Sequence, residues 1–195
     1  MARVDNETFY DASLADHGFT AKGVHWRDKE RQDIRFEVMT KLLGEKLHYS
    51  SVVDAGCGLG DLYDYWLRLN RKPKRYIGID LHMKMVEYAK EKTQQTILCA
   101  DIVKDTLPIA DYYLCSGALN TLERFETIMA IKNMLRFSQK GLIFNILKGD
   151  NHSKTYNKYQ PQKMKEQLSF FKGKMHLIDG YLEDDFTIYL EHEGP

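Results

Sequence analysis

The 195 residues fit one domain of ordinary size and exclude two large ones. Hydrophobic residues make up 43% of the chain, which is enough to fill a core without a disulfide or a metal to stabilise it. The 28 basic and 28 acidic side chains cancel to a formal charge of zero, which excludes the broad positive surface of a duplex-binding protein. A polyanionic partner would need a local basic patch.

The cysteines lie in or beside apolar runs and form no close-spaced cluster: Cys57, Cys99 and Cys115. Their odd number and spacing argue against a disulfide framework or a zinc site and favour a reducing compartment. Acidic residues stand where a signal peptide would need an apolar core, and no window approaches the roughly 18 apolar residues of a membrane helix. We therefore expect a soluble, cytoplasmic protein with no membrane contact and no metal.

Residues 1–50 precede the regular alternation of elements. Apolar residues at helical spacing predict a helix before the first strand: Ile34, Val38, Leu42 and Leu47. The stretch 9–26 shows no period, and we predict that residues 1–50 form a helical cap or lid on an α/β core of residues 51–195, within one domain. Three side chains of this segment are candidates for covering a ligand, with ordinary packing as an equal alternative: His17, His25 and Trp26.

From residue 51 onward, short β-rich runs alternate with amphipathic stretches of helical length. This alternation predicts a parallel sheet with helices on its faces. The predicted parallel strands are residues 51–55, 75–79, 96–100, 111–115 and 141–147. Only about ten residues, including Pro108, connect the third and fourth runs, so we expect a turn or a single helical turn there.

The second half of the chain contains two further helices and an antiparallel pair. Asn120 and Glu123 have the spacing of a capping box, which predicts a helix start. The predicted buried stripe of that helix is Leu122, Phe125, Ile128, Met129 and Leu135. The next helix is predicted to begin at Pro161 and to stop at Gly173. Residues 174–191 alternate in polarity and predict two antiparallel strands at the sheet edge.

The segment VVDAGCGLGDL, residues 52–62, joins the first predicted strand to the next helix. Its glycines let the backbone turn sharply and approach a ligand, and the helix start offers free N–H groups to a polar or anionic group. The spacing is not the dinucleotide pattern G-x-G-x-x-G, because the third glycine comes one residue early and Asp61 stands in its place. The nucleoside triphosphate pattern G-x-x-x-x-G-K-[ST] is absent as well.

The pattern D-x-G-x-G-x-G, which begins at Asp54, resembles the first motif of the class I S-adenosylmethionine-dependent methyltransferases. The resemblance extends over residues 51–191 and is greatest to bacterial members of unassigned substrate. It implies an α/β, Rossmann-like fold with a mostly parallel seven-stranded sheet, an antiparallel last strand and helices on both faces. It also implies S-adenosylmethionine as the cofactor.

The resemblance assigns roles to residues at successive strand ends. Asp80 would hold the ribose hydroxyls, since a carboxylate accepts two hydrogen bonds from a diol. Asp101 would contact the adenine amine with Ile102 beside the ring, and Ser116 and Gly117 would line the methyl-transfer site. The full set of cofactor candidates is Asp54, Ala55, Gly56, Cys57, Gly58, Gly60, Asp80, Leu81, Asp101, Ile102, Ser116, Gly117 and Arg35.

Arg35 enters this set because a guanidinium pairs well with the methionine carboxylate, and Gln32 lies one turn earlier. A solvated helix face is the alternative reading of both residues.

No pattern in the sequence identifies a catalytic base. The sulfonium of the cofactor already activates its methyl group, so the protein has chiefly to align a nucleophile and exclude water. The weak candidates for a base or an acceptor contact are Asn145, His152, Tyr156 and His25. The family's N/D-P-P-Y/F pattern for amine acceptors and its Pro-Cys nucleophile are both missing, and Cys115 is predicted to be a core thiol.

Two basic clusters bear on a nucleic-acid partner. One surrounds Pro73 at the predicted amino ends of strands, and the other spans residues 148–174. Neither comes with an RNA-binding module, so we expect a small-molecule acceptor. The alternatives are an RNA or protein methyltransferase, a catalytically silent S-adenosylmethionine-binding module, and an NAD-dependent oxidoreductase. The sequence leaves the accepting atom and the oligomeric state open.

Overall fold

The structure is a computed structural model that describes residues 11, 15, 16, 18–20, 29–150 and 156–193. The strands in this part of the chain are β1 (Ser51–Ala55), β2 (Arg75–Asp80), β3 (Thr96–Cys99), β4 (Ala110–Ser116), β5 (Ser138–Leu147), β6 (Lys174–Asp179) and β7 (Asp185–Glu191). The helices are α1 (Lys29–Leu43), α2 (Lys46–Tyr49), α3 (Asp61–Arg68), α4 (Met83–Thr93), α5 (Arg124–Phe137) and α6 (Pro161–Gln167).

The seven strands form one sheet in the order β3-β2-β1-β4-β5-β7-β6. Strands β1 to β5 run parallel, and β7 runs antiparallel to its neighbours β5 and β6. One apolar cluster fills the space beneath α1, α3 and α4, and a second lies on the other face beneath α5 and α6. The inner strands are buried along nearly their whole length, as a sheet covered on both faces requires. This architecture confirms the predicted fold.

The described part of the predicted cap, residues 29–50, is a layer of the core. Phe36, Met39 and Leu43 of α1 are buried in the cluster that covers β1, β4 and β5. The predicted helix before the first strand is present as α1, but three of the residues that predicted it, Ile34, Val38 and Leu42, are only half-buried. The buried face of α1 carries Gln32 and Arg35 as well as apolar side chains.

Few residues before α1 are described, and His17, His25 and Trp26 lie outside them. Asp11 accepts hydrogen bonds from His82 Nε2 at 3.1 Å and from Lys84 Nζ at 2.8 Å. Phe19 stacks on Tyr88 of α4 with ring centroids 4.4 Å apart. These contacts place the described N-terminal residues beside the end of β2 and the exposed face of α4.

Helix α5 begins later than the sequence predicts. Its capping box is formed by Glu123 and Glu126, whereas Asn120 lies in a 3₁₀ turn (Ala118–Thr121) that directly follows β4. The Asn120 side chain accepts a hydrogen bond from the Leu147 backbone N–H at 3.0 Å and is not free to cap a helix. Phe125, predicted to be buried, is 74% exposed, because the buried face of α5 consists of other residues: Thr127, Ala130, Ile131, Met134 and Leu135.

Other boundaries differ by a few residues. Helix α6 begins at Pro161 as predicted but ends at Gln167, because Leu168 turns into the core as its C-cap. Residues 102–105 between β3 and β4 form the expected short turn. The basic cluster around Pro73 stands at the amino end of β2, as predicted. Among the described residues, no helix combines the length and apolar character needed to cross a membrane.

Candidate cofactor and active site

A cavity of about 510 Å³ lies at the carboxyl ends of β1 to β5, the edge of a parallel sheet where ligands bind. Its volume is within the range of small-molecule and cofactor sites. Of the candidate residues from the sequence, those on its wall are Arg35, Asp54, Gly56, Cys57, Gly58, Asp80, Leu81, Asp101, Ile102, Ser116, Gly117 and Tyr156. Ala55, Gly60 and Asn145 are not on the wall.

The three glycines of the loop after β1 all have positive φ, but for different reasons. A Cβ on Gly56 would lie 2.3 Å from the Ala118 Cβ, and one on Gly60 would lie 2.5 Å from Thr93 Cγ2. Gly58, at φ +51°, faces open space on the cavity wall. Close approach of a ligand is therefore possible at Gly58, whereas Gly60 is required for packing against α4.

Asp80, at the end of β2, holds the glycine loop in place. Its Oδ2 accepts a hydrogen bond from the Gly58 N–H at 2.8 Å, and its Oδ1 accepts one from the His82 N–H at 3.0 Å. Burial raises the pKa of this carboxyl group, and the two backbone donors act against that rise. A carboxylate has about four acceptor positions, so these two hydrogen bonds do not use all of them.

Asp54 is a second buried carboxyl group, located near the end of β1 and 3% exposed. The Tyr76 hydroxyl donates a hydrogen bond to Asp54 Oδ2 at 2.7 Å. Burial raises the pKa of Asp54 to about 7, with a smaller contribution from the charge of Asp80, while the Tyr76 hydrogen bond lowers it. The charge of Asp54 therefore changes near neutral pH.

Asp101 follows β3 and shapes the next turn. Its Oδ1 accepts a hydrogen bond from the Val103 N–H at 2.8 Å, and its own N–H donates to Asp105 Oδ2 at 2.8 Å. Asp101 is 3% exposed, and Ile102 beside it is also buried on the cavity wall. A carboxylate and an apolar side chain thus lie together at this end of the cavity.

Helix α1 supplies the polar wall above the sheet, where Arg31, Gln32 and Arg35 share one face. Arg35 forms a buried ion pair with Asp185 of β7, and Arg31 pairs with Asp184. These residues are therefore not on the solvated helix face considered from the sequence. The i, i+4 spacing of the two arginines and the acidic pair before the last strand were the available signals for these contacts.

Asp61, at the first position of α3, lies on the cavity wall, although the sequence did not predict it as a site residue. Its Oδ2 accepts a hydrogen bond from Gln32 Nε2 at 3.1 Å, and its Oδ1 accepts one from Lys92 Nζ at 2.8 Å. Burial opposes ionisation, but the Lys92 ammonium holds the pKa of this carboxyl group below its usual value. Asp61 thus joins α1, α3 and α4 at the edge of the cavity.

A row of buried polar side chains crosses the sheet at its carboxyl edge. Ser116 is paired in register with Asn145, and Asn145 with Thr187. Asn145 is fully buried, and neither of its amide atoms has a hydrogen-bond partner among the described residues; the same holds for Ser116 Oγ. Only Ser116 of this row reaches the cavity, so Asn145 is behind the wall and not in position to contact an acceptor.

The loop after β5 contributes Tyr156 and Lys158 to the cavity wall. Burial raises the pKa of the Tyr156 hydroxyl, which keeps it protonated at neutral pH. His152 of the same loop and His25, the other candidate bases, lie outside the described residues. No group of three or more metal-ligating side chains occurs in the part of the chain that the structure describes.

A family model described as a methyltransferase domain matches residues 52–141, which include the glycine loop and the ends of β1 to β4. Over these residues the chain carries a methyltransferase domain. Its cofactor is therefore S-adenosylmethionine. No curated protein sequence matches this methyltransferase.

Solved structures match the methyltransferase over most of its length. Magnesium protoporphyrin IX methyltransferase from Synechocystis PCC 6803, with bound S-adenosylhomocysteine, is 15% identical with a TM-score of 0.73, and the match covers 96% of this chain and 98% of that chain. The N-methyltransferase NodS from Bradyrhizobium japonicum WM9 is 15% identical with a TM-score of 0.71, covering 97% and 100%. The small RNA methyltransferase HEN1 is 17% identical with a TM-score of 0.66, covering 85% of this chain and 25% of that chain. The TM-scores show a shared fold, and at these low identities they show the fold alone.

Proposed function

We propose that this methyltransferase transfers the methyl group of S-adenosylmethionine to a small-molecule acceptor. The observation that carries the proposal is the cavity of about 510 Å³, whose wall joins the ends of β1, β2 and β3 to α1 and the loop after β5. Such a cavity has room for small reactants, and α1 covers part of it. The basic cluster around Pro73 lies at the opposite edge of the sheet, where it cannot guide a polyanion to this site.

The residues at the ends of the first three strands fit the adenosyl part of the cofactor. We assign the ribose diol to the remaining acceptor capacity of Asp80, next to Leu81 on the same wall. We assign the adenine to Asp101 and Ile102, which offer a buried carboxylate and an apolar contact. The backbone at Gly58 lies closest to the ligand, since nothing occupies the space beside it.

The end of β4 fits the reacting centre. Ser116 and Gly117 line the cavity between the cofactor wall and the loop after β5, and Ser116 Oγ is a buried hydroxyl without a hydrogen-bond partner in the part of the chain that the structure describes. The bound cofactor supplies an electrophilic methyl group on sulfur. The acceptor's lone pair forms the new bond as the sulfur–carbon bond breaks, leaving S-adenosylhomocysteine. The protein's part is to align the acceptor and to exclude water with apolar wall residues such as Phe36, Leu122 and Leu147.

Arg35 is proposed as a positioning residue and not as a direct ligand of the methionine carboxylate. Its Nε and Nη2 both donate to Asp185, so the guanidinium is already committed to β7. The pair fixes α1 over the cavity, and together with the shared core it supports our proposal that the chain is one domain. A cytoplasmic location stays a prediction, supported by the three free cysteines.

The test is to incubate the purified protein with a cell lysate and a methyl-labelled cofactor, and then to fractionate the label by size. We expect the label among small metabolites, and a variant carrying Asp80→Ala should lose it. Label in RNA or in protein would contradict a small-molecule acceptor. Cofactor binding by calorimetry without any labelled product would favour a binding module over an enzyme.

A further inference from the structure

The two ends of the cavity differ in charge. The cofactor end carries the carboxyl groups of Asp54, Asp80 and Asp101. At the other end, the wall includes Lys158 from the loop after β5 and the ion pair of Arg31 with Asp184. The acceptor end therefore has a surplus of positive charge, because that ion pair cancels itself.

Lys158 is the source of this surplus. Neighbouring cations have carboxylate partners: Lys148 pairs with Asp179 at 2.7 Å, Arg31 with Asp184 and Arg35 with Asp185. Among the residues that the structure describes, the Lys158 ammonium has no ion pair or side-chain hydrogen bond. Lys158 is half-buried on a wall that also carries Leu122 and Leu147. A cation in such surroundings gains most from an anion that enters with the ligand.

The backbone around Lys158 is fixed, which distinguishes this lysine from a mobile surface side chain. Asn157 is 5% exposed, and its N–H donates to the Asn120 carbonyl oxygen at 2.8 Å while its amide Nδ2 donates to the Leu122 carbonyl oxygen at 2.5 Å. Tyr159 is 2% exposed, and its N–H donates to the Leu147 carbonyl oxygen at 2.9 Å. Both neighbours of Lys158 are thus hydrogen-bonded to the elements that form the cavity.

We propose that Lys158 is an anion-binding residue of the acceptor subsite, so the methyl acceptor carries a carboxylate or a phosphate group. The inference rests on the proposed function, because it names the substrate class of the same site. One charge-assisted hydrogen bond at a partly desolvated position gives a preference of roughly tenfold or more over a neutral analogue. The anion selects and orients the acceptor, whichever atom receives the methyl group.

The experiment measures the dissociation constants of benzoate, phenyl phosphate and benzamide for the protein saturated with S-adenosylhomocysteine. Benzamide has the shape of benzoate without its charge. We expect at least one of the two anions to bind about tenfold more tightly than benzamide. The difference between benzoate and phenyl phosphate shows which of the two anions the site prefers. Lys158→Met should abolish the preference, and Lys158→Arg should keep it.

The matched control is Lys163→Met, which removes an exposed lysine of α6 that is not on the cavity wall. It should bind all three probes as the wild type does. Equal or undetectable binding of both anions and benzamide by the wild type would overturn the proposal, as would an anion preference that survives Lys158→Met. Failure of the proposed function has a different signature: S-adenosylhomocysteine would not bind, or the lysate label would appear in RNA or protein.

Discussion

Two carboxyl groups at the strand ends, those of Asp80 and Asp101, lie on the cavity wall and also hold backbone turns in place. Asp80 faces the cavity, yet it also accepts hydrogen bonds from the backbone N–H groups of Gly58 and His82. Asp101 likewise holds its own turn through Val103. A carboxylate that orders a loop and also meets a ligand is preorganised, because its geometry is fixed before binding.

Asp80→Ala should weaken S-adenosylmethionine binding by about 1.5 to 3 kcal/mol, because it removes charge-assisted hydrogen bonds. Calorimetry measures the change, and circular dichroism checks that the fold is retained. Glu87→Ala, which removes an exposed carboxylate of α4, is the control and should bind the cofactor normally. A folded Asp80→Ala protein with unchanged affinity would refute the ribose assignment.

The raised pKa of Asp54 predicts a pH dependence of stability. From its ordinary value of 3.8 up to about 7, the folded protein holds the Asp54 proton and the unfolded chain does not. This contribution stabilises the fold at low pH and is lost as the pH rises through 7, by up to about 1.4 kcal/mol per pH unit. Chemical denaturation of the wild type and of Asp54→Asn from pH 5 to 8 should show a difference that follows this course.

Tyr76→Phe supplies the companion measurement. The Tyr76 hydroxyl stabilises the ionised Asp54 carboxylate, so its removal should raise the Asp54 pKa and move the transition to higher pH. A transition at the same pH in both proteins would show that this hydrogen bond does not control the titration.

At the scale of elements, the glycines of the loop between β1 and α3 differ in their surroundings: Gly56 and Gly60 are closely packed, whereas Gly58 faces open space on the cavity wall. Gly56→Ala adds a steric clash with Ala118 to the cost of a positive φ, whereas Gly58→Ala adds no clash within the protein. The left-handed conformation alone costs roughly 1 to 2 kcal/mol, and overpacking costs roughly 1 to 3 more. The two changes should therefore separate stability from binding.

Gly58→Ala should lower the free energy of unfolding by about 1 to 2 kcal/mol and abolish cofactor binding, since its Cβ would stand where the ligand approaches. Gly180→Ala in the β6–β7 turn is the matched control, because it has φ +86° and equally open surroundings away from the loop. It should lose similar stability and bind the cofactor normally. Tight binding by Gly58→Ala, measured by calorimetry, would show that the backbone is not near the ligand.

Helix α5 does not begin at Asn120, because this residue makes hydrogen bonds to distant parts of the chain. Asn120 has good capping chemistry, but its side chain accepts the Leu147 N–H and its carbonyl accepts the Asn157 N–H. The residue thereby joins the ends of β4 and β5 to the loop that carries Lys158. The side chain of Asn120 could cap a helix locally, but its long-range hydrogen bonds hold it elsewhere. Sequence spacing gives no information on those tertiary contacts.

At the scale of the whole molecule, the ion pair of Arg35 with Asp185 joins residues that are 150 positions apart. Both side chains are buried, and burial raises the pKa of Asp185 to about 6 although Arg35 favours its charged form. A buried charge left without its partner is costly, whereas removal of both charges is not. The pair therefore fixes how α1 lies against β7 and over the cavity.

Arg35→Met should destabilise the protein by about 3 to 5 kcal/mol, because Asp185 then remains buried and unpaired. The double variant Arg35→Met with Asp185→Asn should recover part of that loss. Denaturation curves of the wild type, both single variants and the double variant measure the coupling. Additive losses would show that the two side chains contribute independently.

The sequence by itself determined the order of strands and helices, the edge of the sheet at which the cavity lies, and the residues at the ends of β1 to β4. These follow from short-range patterns: apolar runs make the strands, and the glycine turn and the polar residues come directly after them. The tertiary structure alone decided which face of α1 is buried, where α5 begins, that Asn145 is behind the wall, and that Lys158 reaches the cavity. Each of those depends on a partner distant in the chain, such as Asp185 for Arg35 or Leu147 for Asn120. Local periodicity describes only residues that are close in sequence, so it cannot predict such a partner.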